Sequence, residues 1–424
     1  MAIKITRLGA KLPNVPSKLV KANGTAAACQ RLKSKAPNFI DDKLRHDSSS
    51  PYQLLETSLF KYLPARVLRT LPKKGLFPPA WQLPAGYHLV FFPPPTANLL
   101  PDGTDDMHFP GKPWVRRMWA GGSIHFKTDD GGKALTCKYK EPVLFGCRES
   151  ISNVEVKGNG KAEKVWVELN RAIGSHGKET AITEIRNLVF MRAKTTGEAI
   201  VDASKPVRTI KSKMKPEFGV SMVPDANLLF RFSALTFNAH RIHLDREYAR
   251  TVEGFRNLVV HGPLSILLIL KVLSSQMGNG QMVKSITYKN LSPLFADEQM
   301  TICVRRSRAV SLEANDTETP VDADSTPAQA DITPSALDRI PAQADATSEE
   351  QADSTRSELD STPAQAGSTP VEAGNTPIPA DSGITRWDVW IEDAEGGIAV
   401  KGSAETVAKV SKIHDIKGRL IRYG

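Results

Sequence analysis

The chain has 424 residues, 40% of them apolar, which is enough for a large core and for more than one domain. Its net charge is +10, and no run approaches the ~18 consecutive apolar residues of a membrane-spanning helix. Cys29, Cys137, Cys147 and Cys303 are widely spaced with no CxxC pair, which argues against a zinc site or a disulfide framework and for a reducing compartment.

Residues 1–40 carry Lys4, Arg7, Lys11, Lys18, Lys21, Arg31, Lys33 and Lys35 and no acidic side chain. That composition predicts a basic, transit-like extension over 1–45, directing the chain to the mitochondrial matrix; the plainer reading is a basic tail. Over 51–71, Leu54, Leu55, Leu59, Phe60, Leu63, Val67 and Leu68 recur at helical spacing and predict one amphipathic helix. Residues 88–92 read as a strand stopped by three prolines. Segments 123–127, 134–139, 151–156, 164–170 and 181–191 alternate or are rich in β-branched residues between Gly, Asp and Asn turns, which predicts an antiparallel sheet.

The most informative stretch runs from Phe230 to Leu273. Residues 230–236 read as a strand. Asn238, His240, Arg241, His243 and Asp245 follow within eight residues, a density of polar groups that suits a site better than a turn. Gly262 and Pro263 then open a helix whose body, 264–273, is apolar on every side except at Ser265 and Lys271. Such a helix is buried, and strands at 299–306, 385–392 and 397–403 are placed to wrap it, the last two forming a hairpin across residues 393–397.

Residues 311–383 differ in kind. Pro-Ala-Gln-Ala units recur, aromatics are absent, and 15 acidic side chains face two basic ones. Such a segment cannot bury enough apolar area to offset its ordering entropy, so it is expected to be a disordered insertion in a surface hairpin. Its net charge of −13 leaves about +23 on the rest of the chain, which suits an acidic partner. The cationic residues are scattered without a nucleic-acid-binding signature, so nucleic acid is not expected.

FSALTFNAHRIHLD, residues 232–245, followed by NLVVHGPL, residues 257–264, resembles the hydratase signature of hot-dog-fold thioester dehydratases, and most nearly the fungal mitochondrial type 2 hydroxyacyl-thioester dehydratases and the related mesaconyl-CoA hydratases. Pro93-Pro94-Pro95, Asp102-Gly103-Thr104-Asp105 and Trp114-Val115-Arg116-Arg117-Met118-Trp119-Ala120-Gly121-Gly122 resemble a second block of that family. The likeness covers residues 50–310 and 385–410. It implies an α+β double hot-dog fold, each half an antiparallel sheet around a central helix: 46–200 as the amino-terminal unit, 201–310 with 384–424 as the catalytic unit, and 311–383 inserted.

The resemblance also implies the chemistry, which needs a donor for the thioester oxygen and a group that moves a proton between the α-carbon and the β-hydroxyl. Gly262 is placed to supply an oxyanion-holding amide at a helix start, the alternative being an ordinary glycine cap. His243 is the candidate acid/base. The wider family reads Gly-Asp-x-Asn-Pro-x-His, and five residues before His243 this chain carries Asn238, which orients a water but accepts no proton. Asp245 is a candidate orienting carboxylate; His240 and His261 are candidate substrate contacts. Arg116, Arg117 and Trp119 either receive the phosphates or pantetheine of the carrier or join the two halves. His240, His243 and His261 lack the ligand set of a metal site, and no cofactor is implied. Three readings follow: a (3R)-3-hydroxyacyl-thioester dehydratase acting on acyl carrier protein or coenzyme A thioesters, a mesaconyl-CoA-like hydratase of short enoyl-CoA, or an inactive scaffold that binds acyl carrier protein. The oligomeric state is open, with a homodimer as one possibility.

Overall fold

The computed structural model describes residues 24–44, 50–68, 80–94, 96–129, 136–138, 143–175, 179–206, 210–278, 280–307, 383–409, 413–414 and 420–421. The basic residues before 24 and nearly all of the acidic segment 311–383 lie outside them. In chain order the elements are α1 (Gly24–Lys33), β1 (Asn38–Leu44), α2 (Pro51–Leu59), β2 (Ala80–Gln82), a 3-10 turn (Tyr87–Val90), β3 (Arg116–Phe126), β4 (Thr136–Lys138), β5 (Val143–Lys157), β6 (Lys164–Ser175) and β7 (Ile182–Met191). There follow α3 (Thr196–Ser204), β8 (Phe218–Met222), α4 (Ala226–Leu235), a 3-10 turn (Arg241–His243), α5 (Arg246–Tyr248), a π turn (Ala249–Glu253), α6 (Gly262–Ser275), β9 (Gln281–Asn290), β10 (Met300–Arg306), β11 (Ile384–Glu392) and β12 (Ile398–Ala408).

Ten strands form one antiparallel sheet in the order β1-β5-β6-β7-β3-β9-β12-β11-β10-β8. It is built of two five-stranded halves joined edge to edge where β3 pairs with β9, Gly121 opposite Lys289 and His125 opposite Ser285. This is the double hot-dog, with the two sheets continuous rather than separate. The Gly121-Gly122 pair is explained by the seam: a Cβ on Gly121 would lie 2.5 Å from the Tyr288 carbonyl oxygen, and one on Gly122 2.0 Å from that of Ile185. Only glycine lets three backbones pass so closely.

In the carboxy-terminal half α6 lies against β9, β10 and β11. Every residue from Leu264 to Leu273 is buried, as the apolar run requires. Among the described residues of the amino-terminal half there is no such helix. The centre of that half holds the turn Tyr87–Val90 and then Phe91 and Phe92, all buried. The strand expected at 88–92 is thus a 3-10 turn, because an apolar run surrounded on all sides is equally compatible with either structure.

Two other expectations are corrected. Residues 230–236 belong mainly to α4, not to a strand: Asp225 caps it by accepting from the Leu228 amide, and Leu228, Leu229 and Phe232 are buried while Phe230 stays 63% exposed. That is helical spacing, and it outweighs the β propensity of Phe and Thr. The helix at 51–71 ends at Leu59, ahead of Pro64, and gives way to turns. The sheet also begins before the expected boundary at residue 45. β1 is its edge strand, paired with β5, and Leu32 and Leu44 are fully buried. Among the described residues no helix is long and apolar enough to cross a membrane.

Candidate active site

A cavity of about 290 Å³ opens between the two halves, lined by Gly103, Asp105, Arg117 and Trp119 on one side and Asn238, His240, His243 and Gly262 on the other. The second wall is a tightly tied turn. Its entry residue, Phe237, takes a left-handed conformation (φ 52°), which is costly for a large side chain and characteristic of functional turns. The Asn238 amide donates to the Ser233 carbonyl, and its side-chain oxygen accepts from the His240 amide at 3.0 Å. The Asn238 side-chain nitrogen is left as its donor for the cavity. From the amino-terminal half, the Asp102 carbonyl accepts from the Arg241 amide at 2.8 Å. Gly103 presses against the same turn: a Cβ there would sit 2.0 Å from the Ala239 carbonyl oxygen.

His243 is 7% exposed, and its Nδ1 lies 2.7 Å from the Val259 carbonyl oxygen. A carbonyl only accepts, so Nδ1 carries the proton and Nε2 is left as an unprotonated base. Burial pushes the imidazole pKa down to about 4; the Val259 carbonyl opposes the shift and Arg117 adds to it. His243 is therefore neutral at pH 7. Behind it lies His261, fully buried, its Nε2 2.8 Å from Ser233 Oγ.

Gly262 lines the cavity at the start of α6, and a Cβ there would meet Asn290 Nδ2 at 3.1 Å and the Trp119 side chain at 3.5 Å. The next residue, Pro263, has no amide, and the Ser265 amide already donates to the His261 carbonyl. Leu264 is not among the lining residues, so the Gly262 amide, at the positive end of the helix dipole, is the first-turn donor that belongs to the cavity lining. Asn290 donates to the Trp119 carbonyl at 2.8 Å and so ties β9 to β3 beside this amide.

Not every expected residue reaches the cavity. Asp245 caps α5 and pairs with Arg241 at 2.6 Å, so the group that orients His243 is the Val259 carbonyl and not this carboxylate. His261 stands behind His243, outside the lining. Arg116 is buried and donates to Glu253 at 2.7 Å, a structural tie between β3 and the π turn rather than a phosphate contact. Arg117 does face the cavity, held at 2.9 Å by Asp105, as does Trp119, over whose ring the Arg186 guanidinium sits at 4.8 Å.

Several lining residues were not anticipated. His108 Nε2 lies 2.9 Å from Glu149 Oε1, Arg171 Nε lies 3.1 Å from Glu149 Oε2, and Arg171 also reaches Glu184 at 3.3 Å. Burial alone would raise the Glu149 carboxyl, but the hydrogen bond from His108 and the Arg171 charge hold it down at about 2. A signal for these groups exists in the strands: Glu149 falls in phase with buried Phe145 and Cys147, and Arg171 with Val165, Val167, Leu169 and Ile173. A charge at an inward-facing position requires a partner or a purpose. Among the described residues no group of three or more His, Cys, Asp or Glu is arranged to hold a metal ion.

The chain is similar to known proteins over these residues. The family model for hydroxyacyl-thioester dehydratase type 2 matches residues 86–296, a span that holds every lining residue named above. Mesaconyl-C(4)-CoA hydratase of Chloroflexus aurantiacus is 33% identical over 221 residues, 50% of this chain and 71% of that protein. The mitochondrial hydroxyacyl-thioester dehydratase type 2 of Schizosaccharomyces pombe is 28% identical over 278 residues, 61% of this chain and 87% of that one. Among solved structures, a MaoC-like dehydratase from Phytophthora capsici aligns over 90% of this chain and 97% of its own, with 13% identity and a TM-score of 0.47.

Proposed function

Since the chain belongs to the hydroxyacyl-thioester dehydratase type 2 family, we propose that the cavity between its halves converts (3R)-3-hydroxyacyl thioesters to trans-2-enoyl thioesters and water, with His243 as the acid/base. The observation that carries this reading is the His243–Val259 contact, which leaves a neutral Nε2 for the cavity beside the start of α6. The thioester oxygen lies against the Gly262 amide. His243 Nε2 takes the α-proton as charge builds on that oxygen, and the imidazolium then gives the proton to the β-hydroxyl, which leaves as water. Asn238 donates to the same hydroxyl and supports its departure.

The basic remainder of the chain, about +23 without the acidic segment, suits the acidic surface of an acyl carrier protein or the phosphates of coenzyme A. The S. pombe relative is a mitochondrial enzyme by name, which supports a mitochondrial location, and the acid-free residues 1–23, with Lys4, Arg7, Lys11, Lys18 and Lys21, support the matrix within it. A second reading, a hydratase of short, polar enoyl-CoA thioesters, is favoured by the charged wall of the cavity, where Glu149, Arg171 and Arg186 are unlike the lining of a long alkyl tunnel.

Hydration of trans-2-enoyl-CoA by the purified full chain, followed by loss of enoyl absorbance, tests both readings. Turnover that falls about a hundredfold or more in His243→Ala supports the acid/base role. An alkyl series compared with a carboxylate-bearing enoyl-CoA separates the two substrate classes. No hydration of coenzyme A or carrier-protein thioesters by the parent chain would leave the scaffold reading in possession.

A further inference from the structure

Asp102 and His240 face each other across the seam between the two halves. Asp102 Oδ2 lies 3.6 Å from His240 Nε2, the residues are 4% and 6% exposed, and neither atom has a hydrogen-bond partner among the described residues. Two buried polar atoms without other partners, one a carboxylate oxygen and the other a ring nitrogen, define a dyad that closes fully with a small shift. The other carboxylate oxygen is already committed, accepting from the Thr104 amide at 2.9 Å and the Thr104 hydroxyl at 2.7 Å. The Asp102 carbonyl holds the Arg241 amide, so backbone and side chain of one residue face two consecutive residues of the same turn. His240 itself lines the cavity, edge-on to His243 with ring centroids 5.5 Å apart.

We propose, resting on the dehydratase reading of this cavity, that Asp102 fixes the tautomer of His240, and that His240 then holds the β-hydroxyl, or the adding water, beside His243. With Nε2–H directed at the carboxylate, Nδ1 faces the cavity as an acceptor. A water in the site donates one hydrogen to His240 Nδ1 and the other to His243 Nε2, and accepts from the Asn238 amide group. In hydration the oxygen bonds to the β-carbon, the O–H bond to His243 breaks, and His243 passes that proton to the α-carbon; His240 keeps its proton throughout. The chain carries Asn at 238, and its carboxylate comes instead from the amino-terminal half, 136 positions earlier. His240 is the residue that touches substrate, and Asp102 is a positioning residue that acts through it.

The test uses the full chain and two readouts. Asp102→Asn keeps an oxygen for Thr104 but offers an N–H to His240 Nε2, which reverses the tautomer. Nitrogen-15 NMR of the imidazoles, with His240 assigned by its loss in His240→Ala, should show Nε2–H in the parent and Nδ1–H in Asp102→Asn. The variant's kcat should fall about tenfold to a hundredfold with KM changed less than about threefold, and in the His240→Ala background the same change should add less than about twofold. An Nδ1–H His240 in the parent overturns the pairing. Unchanged kcat in Asp102→Asn, or losses that multiply with His240→Ala, overturn the positioning role while leaving the dehydratase reading intact. A parent without turnover sinks that reading and the use of His240 with it, and the tautomer still decides the pairing.

Discussion

The His243 ring lies on the His261 ring with centroids 3.6 Å apart and planes 20° from parallel. Two imidazoles stacked so closely do not carry charge at the same time, since like charges at this distance repel strongly. Burial lowers both, His243 to about 4 and His261 well below its ordinary value, and it lowers His240 and His88 as well, His88 to about 4. Between those values and about 6.5 the unfolded chain binds more protons than the folded one. Stability is therefore fully present above about pH 6.5 and is lost as the pH falls toward 4. Each histidine contributes up to about 1.4 kcal/mol per pH unit. Urea unfolding at pH 5, 6 and 7 should show the slope, and His261→Phe, which keeps a ring in the stack but cannot titrate, should flatten it. A parent curve level from pH 7 to 5 would contradict the neutral stack.

The same depression sets the acidic limb of the reaction. A base that titrates near 4 stays competent through pH 6 and 5, so kcat/KM should hold level down to about pH 5 rather than halve near 6.5. Because stability falls over the same range, the profile belongs in brief pH-jump assays of enzyme kept at pH 7. An acidic midpoint of 6 or above would mean that another group carries the proton.

Gly262 is not held to glycine by its backbone, which is ordinary for the first turn of a helix, but by what a side chain would meet. Gly262→Ala puts a methyl 3.1 Å from Asn290 Nδ2, and shifting that amide disturbs its bond to the Trp119 carbonyl at the cavity wall. The expected outcome is a kcat loss of about tenfold to a hundredfold with a melting temperature changed by only a few degrees, since alanine suits a helix better than glycine. Equal losses in stability and activity would mark Gly262 as a packing residue.

Much of this was legible in the residues themselves. The all-apolar face of 264–273 announced a wrapped helix, and the density of Asn238, His240 and His243 announced a site, because both are local patterns. What escaped was whatever depends on distant pairing. Asp245 looks like the orienting group for His243 because it lies two residues away, yet the Val259 carbonyl, sixteen away, does that work. Arg116 and Arg117 are neighbours on a strand and so point to opposite sides, one to Glu253 and the other to the cavity. Residues 24–44 look like a basic leader because the apolar side chains they bury, Ala28, Leu32, Ile40 and Leu44, are few and pack against strands that lie about a hundred residues later.

Lys271 was visible as the charge in an otherwise apolar helix, and its partner was not. It is 4% exposed, with Nζ 2.5 Å from Glu56 Oε1 on α2 and 2.7 Å from the Tyr87 hydroxyl, which itself donates to Glu56. The three groups bring α2, the Tyr87–Val90 turn and α6 together in the core. Removing one ion of such a pair strands the other, whereas removing both often costs little. Lys271→Met should therefore destabilise the protein by about 3–5 kcal/mol, and Glu56→Gln with Lys271→Met should recover most of that loss. Urea unfolding of the parent, the single variant and the double variant measures the difference. A double variant as unstable as Lys271→Met alone would show that the site depends on the packing of the lysine stem and not on the paired charges.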